Sequence, residues 1–207
     1  MSMYKQIITS LRESYNRNAE ERDNYRIEEW KIRERDNYII WLQKENKNSI
    51  LEIGAGTGKD SKYFQEKGFN VICTDISEEM VRLCKIKGLT AYIMDFMSLD
   101  FPKGSFDSIY ALNCLLHIPK DNLKKVLGDI QKLLKPKGLF YFGVYGGKES
   151  EGIWEEDKYE PKRYFSFYTD KQIQKIVGNY YKVEYFKAIK LEDNIDLHFQ
   201  SFILRRR

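Results

Sequence analysis

The chain is poor in the residues that hold metals and staple small folds. Its 207 residues include three cysteines and two histidines. Cys73, Cys84 and Cys114 form no Cys-x-x-Cys pair, and only His117 and His198 stand beside them. Neither a disulfide framework nor a metal site is expected. No apolar run is long enough to span a bilayer, so no membrane partner is expected. Met1-Ser2-Met3-Tyr4-Lys5 is not followed by the apolar core of a signal peptide, which leaves a cytoplasmic protein as the expectation. Charge of one sign is also scarce. The net charge is +4 and is spread along the chain, and the one run of three cations is Arg205-Arg206-Arg207. A nucleic-acid footprint usually clusters its cations, so the spread of charge weighs against nucleic acid as a partner, although folding can still gather cations on one face. The length predicts a single domain, 1–207, that buries roughly 70% of its unfolded surface.

Residues 48–59 read Asn-Ser-Ile-Leu-Glu-Ile-Gly-Ala-Gly-Thr-Gly-Lys. Ile50, Leu51 and Ile53 form an apolar strand that enters glycines at 54, 56 and 58, and a helix-like stretch, Lys59 to Lys67, follows. A strand, a glycine turn and a helix start present backbone N–H groups to a nucleotide-like ligand. Gly-x-Gly-x-x-Gly would need its third glycine at position 59, which is Lys, so an NAD-dependent reductase is disfavoured. Gly58-Lys59-Asp60 does not complete a P-loop either. A second strand, Val71–Thr74, ends at Asp75, 21 positions after Gly54. A carboxylate at that distance is placed to accept from a ribose diol; the alternative is that it only caps the turn. A third strand, Thr90–Met94, ends in Asp95-Phe96, and Asp95 lies 20 positions beyond Asp75, as in a repeated strand–helix unit. Next come a strand Phe106–Asn113, a helix over 121–135, and a fifth strand, Leu139–Val144.

Four features follow in order over residues 48–144: Glu52-x-Gly54-x-Gly56-x-Gly58, Asp75, Phe106-Asp107-Ser108-Ile109 with Leu115-Leu116-His117-Ile118-Pro119, and Leu134-Lys135-Pro136-Lys137-Gly138 before an apolar strand. Together they resemble the class I S-adenosylmethionine (SAM) methyltransferases. The resemblance implies an α/β fold, a doubly wound, Rossmann-like sheet of seven strands in the order 3-2-1-4-5-7-6 with the last strand antiparallel. It implies SAM as cofactor, held by Glu52, Gly54, Ala55, Gly56, Gly58, Asp75, Ile76, Asp95, Phe96 and Asn113. Asp75 would take the ribose and Asp95 the adenine amino group, with Phe96 near the ring. The implied activity is methyl transfer to a small-molecule acceptor. A tRNA methyltransferase and a SAM-binding protein without turnover are the alternatives, and the chain would be a monomer or a homodimer.

Two flanks surround this core. In 1–46 the spacing of Trp30, Arg33, Asn37, Ile40 and Trp41 predicts a helix near 26–46. The segment around Tyr15, Asn16 and Asn18 resembles the family's lid, so 1–46 is read as an N-terminal helical lid. The second flank, 145–168, is long for a loop and rich in aromatics, and such loops tend to be functional. It is read as a substrate-side loop carrying Tyr145, Arg163 and Tyr164, or else as an aromatic plug. Thr169-Asp170 caps a helix to Val177, and strands Lys182–Leu191 and Leu197–Leu204 pair as a hairpin around Glu192-Asp193-Asn194. His117, with an ordinary pKa near 6.5, is the candidate catalytic base; the alternative is a helix-entry residue that holds backbone. Tyr145 is a second candidate.

Overall fold

Stretches rich in β-branched and aromatic residues become strands in the computed structural model, which describes residues 3–191 and 194–207. These are β1 (Ser49–Ile53), β2 (Asn70–Asp75), β3 (Thr90–Ile93), β4 (Phe106–Leu112), β5 (Leu134–Gly146), β6 (Ser150–Ile153), β7 (Tyr164–Phe167), β8 (Tyr181–Leu191) and β9 (Asn194–Arg206). Seven of them form one sheet in the order β3-β2-β1-β4-β5-β9-β8, and β6 and β7 pair separately. This is the expected 3-2-1-4-5-7-6 order; the last two sheet strands carry higher numbers because the β6–β7 hairpin intervenes. The first five run parallel, and β9 is antiparallel to both β5 and β8. Glu192 and Asp193 of the expected turn lie outside the described residues.

Helices cover both faces: α1 (Met3–Arg17), α2 (Ala19–Asp23), α3 (Glu29–Lys44), α4 (Lys59–Glu66), α5 (Glu78–Ile86), α6 (Lys120–Leu133) and α7 (Asp170–Gly178). Alternation along the strands divides the core. Leu51, Ile53, Ile109, Phe140, Phe142 and Phe202 pack with Ile7, Ile8 and Leu11 of α1 and with α6 and α7. Ile50, Tyr110, Leu139, Tyr141 and Ile203 pack on the other face with Tyr38, Ile39 and Leu42 of α3 and with Phe64 of α4. A sheet covered on both faces needs near-continuous apolar strands, which is why β5 reads Leu-Phe-Tyr-Phe in its centre. It is also why β9 departs from a one-faced pattern. His198, Gln200, Phe202 and Leu204 alternate as expected, but Phe199 and Ile203 between them are fully buried too.

Three expectations change. The helix near 26–46 is α3, but α1 and α2 precede it. The 145–168 segment is not a loop throughout: β5 runs to Gly146, and β6 pairs with β7 from Ser150↔Phe167 to Ile153↔Tyr164. All four residues of β7 are buried, and that burial is what orders the hairpin. The fifth strand also starts early, at Leu134, because Leu134 pairs with Phe106 ahead of a register shift.

Among the ion pairs that join the N-terminal flank to the core, one is largely buried at both ends and backed by a ring. Arg35 Nη1 on α3 lies 2.8 Å from Asp60 Oδ1 on α4, with side-chain exposures of 7% and 14%. The guanidinium also lies 3.6 Å from the centre of the Tyr63 ring. Removing one partner of a buried pair strands the other charge. Arg35→Ala is therefore expected to lower stability by about 3–5 kcal/mol, read from urea unfolding at pH 7. An unchanged midpoint would mean that Asp60 is solvated without its partner.

Candidate active site

The turn after β1 passes through left-handed backbone at Gly54 (φ 66°) and Gly56 (φ 55°). Their surroundings differ. A Cβ at Gly54 would stand 2.3 Å from the Cβ of Cys114, so that glycine lets the turn press against the segment after β4. A Cβ at Gly56 would meet nothing within 4 Å. It faces a cavity, and this is the position where backbone is left open to a ligand.

Asp75 ends β2 beside this turn. Its Oδ2 accepts the Gly56 N–H at 2.8 Å and its Oδ1 accepts the Ser77 N–H at 2.9 Å. Ser77 in turn caps α5, its hydroxyl accepting the Met80 N–H at 3.1 Å. Asp75 thus does the capping that was the alternative reading of it, and it still lines the cavity. Burial pushes its carboxyl pKa up, and the two amide donors act against that rise. Glu52 is buried one step back along β1, where its Oε2 accepts the Ser61 hydroxyl. Burial, and then the nearby Asp60, pushes the Glu52 carboxyl well up.

Two connected spaces meet at the glycine turn. A narrow one of about 80 Å³ is walled by Asp75, Ile76, Met94, Phe96, Cys114 and His117. An open cleft of about 430 Å³ is lined by Glu52, Ala55, Thr57, Lys59, Asp60 and Arg26. Arg22, Gly54, Gly56, Leu112 and Asn113 line both. Asn113 takes φ 54° at the end of β4, and its N–H donates to the Gly143 carbonyl at 2.8 Å. Its buried Oδ1 has no hydrogen-bond partner within the protein. Asp95, between the lining residues Met94 and Phe96, lines neither space itself, and its Oδ1 is already engaged, accepting from the Tyr4 hydroxyl and from the Met97 N–H at 2.9 Å. Gly58 packs away from the cavity, against Leu89 and Cys84.

Helix α1 lies across this region. Arg12 Nε donates to the Ile76 carbonyl at 3.3 Å, and Asn16 Oδ1 accepts from the Ser77 hydroxyl at 2.6 Å. Tyr15 donates its hydroxyl proton to His117 Nε2 at 2.6 Å. The other ring nitrogen of His117 lies 2.7 Å from the Tyr164 carbonyl. A carbonyl only accepts, so Nδ1 carries the proton and Nε2 the lone pair. Burial pushes the His117 pKa down to about 3, and the Arg163 and Arg22 cations push the same way against the Tyr164 carbonyl. The imidazole is neutral, and neither nitrogen is free for a ligand. The geometry matches the helix-entry alternative, in which the side chain holds backbone.

The substrate-side trio is divided. Arg163 does not present an open fork: Nε and Nη2 donate to the two oxygens of Asp157 at 2.7 and 2.8 Å, and Nη1 donates to the Tyr15 hydroxyl at 3.1 Å. Tyr164 holds His117 through its carbonyl and donates its hydroxyl to Glu151 at 2.6 Å. Tyr145 stands apart, lining a third cavity. Sequence reasoning missed Tyr4, Arg12 and Arg22. The signal available was the apolar spacing of Ile7, Ile8 and Leu11, which marks α1 as a helix with one face on the core. Among the described residues no cluster suits a metal ion, and no helix is long and apolar enough to cross a membrane.

Residues 50–138 match the model of a family described as a methyltransferase domain. This stretch belongs to the class I SAM-dependent methyltransferases. The family's cofactor is SAM, and the open face of Gly56 and the orphaned Asn113 Oδ1 leave room and an acceptor for such a group. The chain is 30% identical over 133 residues to a phosphoethanolamine N-methyltransferase of Plasmodium falciparum, covering 60% of this chain and 50% of that one. It is 49% identical over 116 residues to a sterol 24-C-methyltransferase of Neurospora crassa, covering 51% and 29%. The chain therefore spans half or less of these relatives. The methyltransferase fold extends over the whole chain in one solved structure. That protein is the Burkholderia thailandensis 1,6-didemethyltoxoflavin-N1-methyltransferase, holding 1,6-didemethyltoxoflavin and S-adenosylhomocysteine, with a TM-score of 0.76 at 19% identity and coverage of 100% and 91%.

Two outcomes follow from the turn and from the buried imidazole. Gly56→Val should keep the fold by circular dichroism and lose S-adenosylhomocysteine binding by calorimetry, because a β-branched side chain fills the open face and resists positive φ. Gly54→Val should instead fail to fold, since its side chain meets Cys114; equal behaviour of the two would refute the distinction. His117 is protonated in the unfolded chain below pH 6.5 and in the folded one only near pH 3. Its stabilising contribution is thus complete above pH 6.5 and is lost as pH falls from there toward 3. Between pH 7 and 4 the wild type should lose stability faster than His117→Gln, measured as the difference in urea midpoints.

Proposed function

We propose that this chain transfers the methyl group of SAM to a small-molecule acceptor. The observation that carries the reading is the open backbone face at Gly56, with Asp75 beside it and Asn113 opposite, inside a matched methyltransferase domain. In this reading Glu52, Gly54, Ala55, Gly56, Asp75, Ile76, Asp95, Phe96 and Asn113 form the cofactor site, and Gly58 serves it indirectly by packing the turn against Leu89 and Cys84. Asp75 accepts from the ribose hydroxyls with the lone pairs its two amides leave free. Asp95 accepts from the adenine amino group once Tyr4 yields its oxygen. Residues 1–46 act as a lid through α1. The small-molecule relatives and the even spread of charge support a small acceptor over an RNA.

A sulfonium methyl group is activated when bound, so this chain's residues need mainly to align the acceptor and keep water out. Tyr15 and His117 close the wall of the narrow space, and His117 fixes the Tyr15 hydroxyl.

The test is calorimetry with S-adenosylhomocysteine, followed by a metabolite screen with methyl-labelled SAM. Micromolar binding and a labelled product are expected; binding of NAD in preference to S-adenosylhomocysteine would sink the reading. Asp75→Ala should weaken S-adenosylhomocysteine at least tenfold, since charge-assisted hydrogen bonds are worth about 1.5–3 kcal/mol each. Tyr15→Phe should slow transfer to the labelled acceptor by tenfold or more while leaving KM for SAM within a few-fold, the mark of an aligning group.

A further inference from the structure

The third cavity, of about 610 Å³, lies on the far side of Phe165 from the glycine turn. It is within the size range of small-molecule sites, which are walled mostly by apolar and aromatic side chains. It adjoins the cofactor cleft in two ways. Glu28 borders both spaces, and the Phe165 ring lies 4.7 Å from that of His117. Tyr145 reaches it from β5, two residues beyond the Gly143 carbonyl that holds Asn113. The cavity therefore opens beside the carboxyl ends of β4 and β5, where ligands of such sheets bind.

Its walls are two aromatic groups. On one side Phe165 and Phe167 stack at 5.6 Å with their planes 25° apart, and Trp154 stands edge-on to both, at 87° and 88°. On the other side are Trp30 and Tyr145, both backed by the buried Phe199, at 4.5 and 5.6 Å. Ile189 and Leu197 add aliphatic surface. Flat ring faces and edges on two sides favour a flat aromatic guest, which gains stacked and edge-to-face contacts that a chain or a sphere does not.

The charges lie at the rim. Glu28 pairs with Lys31 at 2.8 Å, and Glu29 pairs with Arg33 at 3.5 Å, while Lys190 lines the cavity from an exposed position on β8. Arg163, 5.2 Å from the Phe165 ring, is spent on Asp157 and Tyr15. A group ionised among the rings, away from that rim, would lose its water without gaining an opposing ion, which is costly. We propose that this cavity is the acceptor site and that the acceptor is a flat, uncharged aromatic or heteroaromatic molecule. The term acceptor rests on the methyl-transfer reading; the binding chemistry does not.

The probe is lumichrome, a neutral molecule of three fused rings whose fluorescence anisotropy reports binding, titrated with and without S-adenosylhomocysteine. Choline, decanoate and phenyl phosphate serve as competitors. Saturable lumichrome binding is expected, at least tenfold tighter than that of any competitor. Trp154→Ala and Tyr145→Ala should each weaken it at least tenfold and leave S-adenosylhomocysteine affinity unchanged. Ile189→Trp, which fills the cavity from β8 without removing a wall, should block lumichrome and still fold by circular dichroism. Loss of S-adenosylhomocysteine binding alone would count against the cofactor reading and not against this site. The proposal is overturned if lumichrome fails to saturate, if Ile189→Trp binds it as the wild type does, or if a competitor binds more tightly. A choline preference would mean a cation cage, decanoate an acyl-chain tunnel, and phenyl phosphate an anion site.

Discussion

The carboxylate of Asp75 is the tie on which the site depends. One oxygen takes the amide of Gly56 and the other the amide of Ser77, so one side chain fixes the glycine turn after β1 and the entry to α5 after β2. The two strands are neighbours in register, from Ser49↔Asn70 to Ile53↔Thr74, but register alone does not shape the loops beyond their ends. Asp75 does that, and it must be buried to do so. Burial disfavours the charged form, while the two amide donors favour it. A ligand hydroxyl aimed at the same carboxylate would add a further donor to a group held ready by backbone.

A similar economy governs the opposite wall. His117 is often the first residue suspected of proton chemistry, because its free pKa lies near neutrality. Here it is enclosed between a carbonyl and a phenol and kept neutral. Arg163 is enclosed in the same way by Asp157 and Tyr15. Polar groups at this wall satisfy one another, which removes the cost of burying them and leaves ring faces as the surface a guest would meet. Recognition on this side passes from charge to shape.

The sequence made the sheet legible because every strand of the first five ends in a recognisable feature: glycines after β1, Asp75, Asp95, Asn113, and the aromatic Tyr145. The glycines and the spacing between acidic residues marked the successive strands, and the order of the sheet came from the family resemblance. The site was legible in the same places and no further. The partners of His117 and Arg163 lie 102 and 148 positions away at Tyr15, and local pattern cannot report such pairings. The β6–β7 hairpin was hidden for a related reason. Its strands are four residues each; β6 is largely exposed, and β7 is buried with Phe165 against His117 and Trp154 rather than marked by any alternation of its own. Helix α1 was hidden by its charge, with Ile7, Ile8 and Leu11 as its only deeply buried apolar residues.

The contacts of α1 have a consequence in time. Tyr4 on Asp95, Arg12 on the Ile76 carbonyl and Asn16 on Ser77 hold the helix over the narrow space beneath it, and that side stays closed while all three hold. Exchange on the helix side is then a gated process, its rate set by how often one helix lifts, while the other end of the space meets the open cleft at the glycine turn. The aromatic cavity beyond Phe165 has no such cover among the described residues. Two guests of one site would thus come and go on different clocks.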